Sequence, residues 1–219
     1  MRHSFFEIYL HKVLLFNRYT MHKFLLFLFL LSSLPFVIRC QEITQDSLAN
    51  KRLEWSKSGL KFSDFRVIDD TTFDTDSQEA AARTSYHVSY KYRLQGDSLY
   101  FSIGNYFVYE KSWMQQKAVG NKHLLKHEQG HFDLSEIYAR TIASEILKFH
   151  FTSDYKEQIR QIVTYYFKKT HEANDIYDKE TKHSRDESAQ NDWNDRIKTH
   201  LAALPPIEDK IFATVINKE

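Results

Sequence analysis

The clearest alternation of apolar and polar positions lies between residues 86 and 103. Aromatic and aliphatic residues alternate there with polar ones on both sides of a Gly96-Asp97 pair. A period of two is typical of a half-buried β-strand, and a Gly-Asp pair between two such runs is typical of a tight turn. The pattern therefore predicts a β-hairpin, whose second strand, residues 99 to 109, could receive an extended peptide along its edge.

Beyond Trp113 the hydrophobic pattern changes to that of a helix. Apolar residues from Leu124 to Leu147 recur at spacings of three, four and seven. These spacings place them on one face of an α-helix, which the pattern predicts from near Asn121 to about Phe149.

Two further helices are predicted after this long one. The second opens at Asp154, a candidate N-cap with Glu157 three residues later, and the third runs from about 186 to 204, where two prolines stop it. Before the hairpin, two short apolar runs between 52 and 68 indicate strands, or a strand and a turn. A small antiparallel sheet followed by a bundle of long helices is an α+β architecture.

The N-terminal region has a pattern of its own. An apolar run from 24 to 38 follows a short positive head that starts at Met21. A signal peptide has this arrangement, whereas a membrane-spanning helix needs roughly 20 apolar residues without a break such as Pro35. The pattern predicts an export signal, with a transmembrane anchor as the alternative.

The chain therefore divides into an N-terminal extension with a signal peptide, residues 1 to 40, and a single domain, residues 41 to 219. Export would take this domain to the periplasm or the cell exterior, without a stable membrane span once the signal is removed. The true start, Met1 or Met21, stays open. Cys40 is either the last residue before signal-peptidase cleavage or the modified cysteine of a lipoprotein.

Composition and charge narrow the classes of function. With 42% hydrophobic and 15% aromatic residues the chain can bury a core, which excludes a disordered protein. Its net charge is +1 and it has no run of basic residues, so nucleic acid is not an expected partner. Cleavage after Cys40 would remove the sole cysteine, which leaves carboxylates, histidines, hydroxyls or a metal for any catalysis.

The sequence HEQGH at 127 to 131 is the strongest chemical signal in the chain. Residues four apart on a helix differ by about 40° around its axis, so His127 and His131 project from one face and can share a metal ion. Glu128 lies about 100° further round, where a carboxylate can take a proton from zinc-bound water. Gly130 costs a helix about 1 kcal/mol relative to alanine, so a neighbour is expected to need its space. A solvated helix face is the alternative interpretation.

Two histidines and a water molecule leave one position of a four-coordinate zinc ion for a third protein ligand. The nearby carboxylates of the same helix point away from the ion. If the next helix packs antiparallel, its residues 175 to 183 return beside the motif. These residues include two candidate ligands, His183 and Asp178, which both fit better than His171.

Other polar residues near the motif have less specific expectations. Asp133 either orients a ligand histidine or pairs with a lysine. Glu136 and Arg140 are expected to form an ordinary helix pair worth roughly a few tenths of a kcal/mol. Tyr177 is expected to pack in the core rather than to stabilise an oxyanion.

Several segments together are similar to one known family. They are Ser112-Trp113, LLKHEQGHFDLSEIYAR at 124 to 140, YDKETKH at 177 to 183, Gln190 and Trp193. They resemble the bacterial family called domain of unknown function 922, whose members are described as predicted secreted zinc-dependent proteases. The resemblance covers most of residues 50 to 204 and implies a zincin-like metallopeptidase with His183 as the third zinc ligand. The family usually has glycine after that histidine, where this chain has Ser184.

These observations predict a secreted zinc-dependent metallopeptidase that hydrolyses peptide bonds. His127, His131 and His183 would bind a zinc ion (Zn2+), and Glu128 would activate the zinc-bound water as the general base. The substrate would be a peptide or protein, while its cleavage preference and the oligomeric state of the chain stay open. The alternatives are a zinc amidase acting on cell-wall peptide and a non-catalytic, zinc-organised binding module of the cell envelope.

Overall fold

The computed structural model describes residues 52–69 and 80–207, together with the backbone of 212–215. The predicted N-terminal extension and signal peptide, residues 1–40, lie outside these ranges. Within the ranges, no helix combines the length and the apolar character that a membrane span requires.

The described ranges contain seven strands, which are β1 (Arg52–Glu54), β2 (Arg66–Ile68), β3 (Ala82–Arg83), β4 (Tyr86–Gln95), β5 (Ser98–Val108), β6 (Trp113–Gln115) and β7 (Phe212–Val215). The larger sheet has the order β1, β5, β4, and β7 also pairs with β5; all of its pairs are antiparallel. The smaller sheet has the order β2, β6, β3, and here β2 runs parallel to β6.

The predicted hairpin is confirmed as β4 and β5. Gln95 pairs with Ser98 across the Gly96-Asp97 turn, where Gly96 has a φ of +60° that a residue without a Cβ adopts readily. Along β5 every second residue is buried, so the alternation in the sequence marks the strand face that carries the core. The two short apolar runs before the hairpin also form strands, β1 and β2.

Three α-helices follow the sheets in the described part of the chain: α1 (Lys122–Lys148), α2 (Tyr155–Thr181) and α3 (Glu187–Ala203). The predicted limits of α1 and α3 are confirmed. Asn121 caps α1, because its side-chain oxygen accepts hydrogen bonds from two amides of the first turn. Helix α2 begins directly after Asp154, as predicted, but the Asp154 side chain makes no capping hydrogen bond, and Glu157 pairs with Arg160.

Helix α1 occupies the centre of the fold, and each of three hydrophobic clusters joins it to a different neighbour. Ile142 packs with β5 and α2, Phe132 packs with β6 and the loops near β1, and Ile137 packs with α2 and α3. A small, mainly antiparallel sheet followed by packed helices confirms the α+β prediction. The HEQGH turn of α1 thereby lies at the meeting point of both other helices.

Candidate metal centre

The HEQGH turn faces the C-terminal part of α2, as expected for antiparallel helices. The Nε2 atoms of His127 and His131 both lie 3.1 Å from Oδ1 of Asp178. One ligand atom from each of these three residues lies within 4.8 Å of the other two, and we call this group the metal centre. Both histidine side chains are largely buried, whereas that of Asp178 is 31% exposed. The metal centre therefore opens to solvent on the Asp178 side.

Each ligand histidine makes a second hydrogen bond through Nδ1. In His131, Nδ1 lies 2.6 Å from Oδ1 of Asn174, whose amide nitrogen donates to the carbonyl of Thr170 at 2.7 Å. A carbonyl can only accept, so Asn174 presents its amide oxygen to the imidazole. The proton of His131 therefore resides on Nδ1.

The proton of His127 is fixed by a longer chain of hydrogen bonds. The Tyr177 hydroxyl donates its only proton to the backbone carbonyl of His127 at 3.0 Å, so its oxygen accepts from Nε2 of Gln190 at 2.6 Å. The amide oxygen of Gln190 then faces Nδ1 of His127 at 2.9 Å and accepts from it. A neutral imidazole at either position thus presents an unprotonated Nε2 to Asp178.

Three acceptors therefore converge in the metal centre. Two unprotonated nitrogens and a carboxylate oxygen repel one another unless positive charge lies between them. The two separations of 3.1 Å between an Nε2 atom and Oδ1 of Asp178 are close to the roughly 3.3 Å between neighbouring ligands of a tetrahedral zinc site with bonds of about 2.0–2.1 Å. Two imidazoles and one carboxylate are also a donor set of catalytic zinc sites, so these residues fit a zinc ion.

Glu128 lies beside this group on α1. It is 3% exposed, and within the described ranges its Oε2 atom has no hydrogen-bond partner. Its backbone carbonyl accepts from Oγ1 of Thr84 at 3.1 Å, which ties this turn of α1 to the segment before β4. A buried carboxylate oxygen without a donor is costly, so this position suits a water molecule or a substrate group that carries a proton.

The electrostatics of the metal centre attract positive charge. Burial raises the pKa of Asp178, but the imidazoles of His127 and His131, which donate to its carboxylate when they are protonated, lower it by more, so this pKa lies well below its ordinary value. Burial lowers the pKa of His131, whereas its hydrogen bond to Asp178 and the charge of Glu128 raise it, and the net direction is upward. Both pKa shifts arise because the imidazoles and carboxylates lie close together and are shielded from water.

His183, which the family resemblance implies as the third ligand, lies at the edge of the metal centre. Its Nδ1 is 3.5 Å from Oδ1 of Asp178, and its side chain is 53% exposed. The turn after α2 has three successive residues in the left-handed region, Lys182, His183 and Ser184, with φ of 49°, 52° and 71°. Ser184 thus has the backbone conformation that the family's glycine adopts without strain. The geometry groups Asp178 with the two histidines, and ligation by His183 stays a prediction.

The space beside Gly130 is filled by Tyr177 of α2, as expected from a glycine inside a helix. A Cβ at position 130 would overlap the Tyr177 hydroxyl oxygen and lie 2.6 Å from Cζ. The Tyr177 ring stacks on the imidazole of His127, with 4.7 Å between ring centroids and 16° between planes. Tyr177 is completely buried, which confirms that it packs in the core.

Gly130→Ala is expected to destabilise the protein by about 1–3 kcal/mol and to weaken metal binding, because Tyr177 must move away from His127. Alanine alone would add about 1 kcal/mol to the stability of an open helix. Denaturant unfolding of the metal-free protein and metal content after dialysis measure the two effects. An increase in stability would contradict the close contact between α1 and α2.

Sequence reasoning missed the two residues that hold the ligand histidines, Asn174 and Gln190. Asn174 carries a detectable signal, because it precedes Asp178 by four residues and therefore shares its face of α2. The sequence marks Gln190 only through the family resemblance, since no local pattern relates α3 to α1.

The other polar residues of α1 have structural partners. Asp133 accepts hydrogen bonds from Nε1 of Trp55 at 2.7 Å and Nε2 of Gln129 at 2.6 Å. Among the described residues its carboxylate contacts neither a ligand histidine nor a lysine, so both expectations for Asp133 are wrong. Glu136 and Arg140 do pair, at 2.9 Å, but both side chains are only 4% exposed. They are therefore a buried pair and not the ordinary surface pair that was expected.

The fold and the site define an α+β protein with a candidate metal centre between two helices. Residues 110–184 match the family described as "Bacterial protein of unknown function (DUF922)". This segment contains the whole metal centre and Glu128, and the match confirms the resemblance to that family. Comparisons with curated proteins and with solved structures returned no match.

Proposed function

We propose that the chain is an exported zinc-dependent metallopeptidase that hydrolyses peptide bonds. The observation that supports it most is the convergence of Nε2 of His127, Nε2 of His131 and Oδ1 of Asp178 within hydrogen-bonding distance. A zinc ion held by these atoms would act as a Lewis acid that lowers the pKa of a water molecule and polarises a peptide carbonyl.

Glu128 supplies the group that moves the proton in this proposal. Its buried Oε2 atom accepts a proton from the attacking water and then delivers it to the leaving amine nitrogen. Its position next to His127 on α1 would bring the carboxylate to the metal centre, and the hydrogen bond from Thr84 to its backbone carbonyl ties this turn of α1 to the segment before β4. One carboxylate thus serves as both base and acid.

The free edge of β4 supports an extended peptide as the substrate. The expectation that the second hairpin strand offers this edge is wrong, because β5 pairs with β4 on one side and with β1 and β7 on the other. Among the strands of the described ranges, none pairs with the outer edge of β4. Tyr86, the first residue of β4, accepts a hydrogen bond from Asn174 next to His131. A peptide added to β4 would therefore approach the metal centre.

Metal analysis of the chain from residue 41, followed by digestion of a peptide library, tests the proposal. We expect about one zinc ion per chain and cleavage that stops when a chelator is added. Zinc without any cleavage would favour the envelope binding module, and cleavage confined to cell-wall peptide would favour the amidase. A chain that binds no zinc would contradict all three.

Export is supported by the apolar run at 24 to 38, which has the length of a signal-peptide core. N-terminal sequencing of chain recovered from the periplasm or medium is expected to give a start after this run. Recovery only from the cytoplasm, with the run intact, would contradict export.

Asp178→Ala is expected to release the metal on dialysis, because two imidazoles alone hold zinc weakly. His171→Ala is the matched control, since His171 is an exposed residue of the same helix, and it should retain the metal. His183→Ala distinguishes the two ligand sets. Retained metal supports Asp178 as the third ligand, and lost metal supports His183, as the resemblance implies.

A further inference from the structure

Both ligand histidines rest on the same arrangement of an amide and a tyrosine. In each, imidazole Nδ1 donates to an amide oxygen, and the nitrogen of that amide donates to a tyrosine hydroxyl. The two chains are His127 to Gln190 to Tyr177, and His131 to Asn174 to Tyr86. We infer that Gln190 and Asn174 are positioning residues that set the tautomer and the basicity of the two metal ligands. This inference rests on the zinc site proposed above.

The side-chain amides of Asn174 and Gln190 are held by hydrogen bonds that prevent a 180° flip. The Asn174 nitrogen has a second acceptor in the Thr170 carbonyl, and the Gln190 nitrogen has one in Oδ1 of Asn194 at 3.1 Å. A reversed amide would place its oxygen against these acceptors and its nitrogen against a protonated Nδ1. Gln190 is also completely buried. The orientation of both imidazoles is therefore fixed by α2, α3 and β4 before a ligand arrives.

The choice of amides over carboxylates has a chemical consequence. Asp178 and Glu128 already supply two negative charges, which balance a divalent cation. A carboxylate accepting from Nδ1 would make the imidazole more basic and add a third negative charge, so it would strengthen the binding of a cation. A neutral amide keeps the tautomer without that extra charge, which leaves a bound zinc ion more electrophilic.

Substituting each amide in two ways tests this role. Gln190→Leu and Asn174→Leu remove the acceptor and are expected to weaken zinc binding about 10- to 100-fold. Gln190→Glu and Asn174→Asp keep the acceptor and add charge, so they are expected to bind zinc more tightly than the natural chain. Their second oxygen replaces the nitrogen that donates to neighbouring acceptors, so the metal-free variants are expected to be less stable. Competition with a chromogenic chelator measures the affinity, and unfolding of the metal-free proteins measures stability separately.

The two substitutions at each site are expected to change zinc affinity in opposite directions, and this distinguishes a positioning role from simple packing. A packing role would shift both substitutions at one site in the same direction, and that result, or unchanged affinity in all four variants, would overturn the inference. Gln161→Leu and Gln161→Glu, at an exposed position of α2, are matched controls that should leave zinc affinity unchanged. If Gln190→Leu does not fold, the Asn174 pair at a half-buried position decides. Absence of zinc binding in the natural chain would instead contradict the metal site itself.

Discussion

Glu128→Gln is expected to lower peptide hydrolysis by about 100- to 10,000-fold while leaving the zinc content unchanged. Glutamine has nearly the same shape as glutamate, but its amide cannot accept the proton that the attacking water must lose. Glu128 is not one of the three residues whose ligand atoms converge in the metal centre, so its carboxylate is not needed as a metal ligand. Hydrolysis rates at saturating peptide and metal content by atomic absorption give the two measurements.

Stability gives an independent expectation for the same variant. The Oε2 atom of Glu128 is buried and has no hydrogen-bond partner among the described residues, and a neutral amide is less costly there than a carboxylate. The metal-free Glu128→Gln protein should therefore unfold at an equal or higher denaturant concentration. A loss of activity together with higher stability is typical of a residue kept for function.

Glu145→Gln on the same helix is the matched control, because Glu145 is 41% exposed and pairs with Lys148. It should change neither hydrolysis nor zinc content. Unaltered hydrolysis in Glu128→Gln would rule out Glu128 as the base. Simultaneous loss of zinc would show that Glu128 acts as a ligand or holds the site together.

The elements with strong local signals could be predicted from the sequence. The hairpin has a period of two on each side of a Gly-Asp turn, and α1 has a period of 3.6 behind a capping Asn121. These signals depend on a few neighbouring residues, so the predictions made from them do not depend on what the element packs against. The same kind of signal places Asp154 correctly at the N-cap of α2, but the Asp154 side chain makes no hydrogen bond to the helix amides.

The metal centre could be predicted only as far as helix geometry reaches. Spacing places His127 and His131 on one face, and the lengths of two antiparallel helices place residues 175 to 183 opposite them. The choice between Asp178 and His183 depends on a turn with three left-handed residues, which no local preference predicts. The contact between Gln190 and His127 depends on how α3 packs against α1, and this packing is set by tertiary contacts alone.

The contribution of Arg140 to stability could likewise not be predicted from the local sequence. A Glu-Arg pair four residues apart has the same sequence pattern on a solvated face and in a core. Here the guanidinium donates to Oε1 of Glu136 at 2.9 Å and to the carbonyls of Leu201 and Leu204 at 3.1 and 3.3 Å. The ring of Trp55 covers it, with 4.7 Å between the guanidinium carbon and the ring centroid. Arg140 therefore joins α1 to the end of α3 and to the segment after β1.

Arg140→Met is expected to destabilise the protein by about 3–5 kcal/mol, because it leaves the Glu136 carboxylate buried without its partner and two carbonyls at the end of α3 without a donor. Denaturant unfolding at neutral pH measures the loss. Arg160→Met is the matched control, since Arg160 pairs with Glu157 three residues away on α2 and both side chains are exposed. That change should cost less than about 1 kcal/mol.

The pH dependence of the Arg140→Met loss identifies its cause. Burial raises the pKa of Glu136 even though Arg140 opposes this, and removal of Arg140 must raise it further. A carboxyl with a raised pKa in the folded state stabilises the fold when protonated, so the loss should shrink as the pH falls through that pKa. The double variant Arg140→Met with Glu136→Gln should recover part of the stability at neutral pH. A loss that is independent of pH and unrelieved by Glu136→Gln would assign the effect to the α3 carbonyls and Trp55 instead of the buried charge.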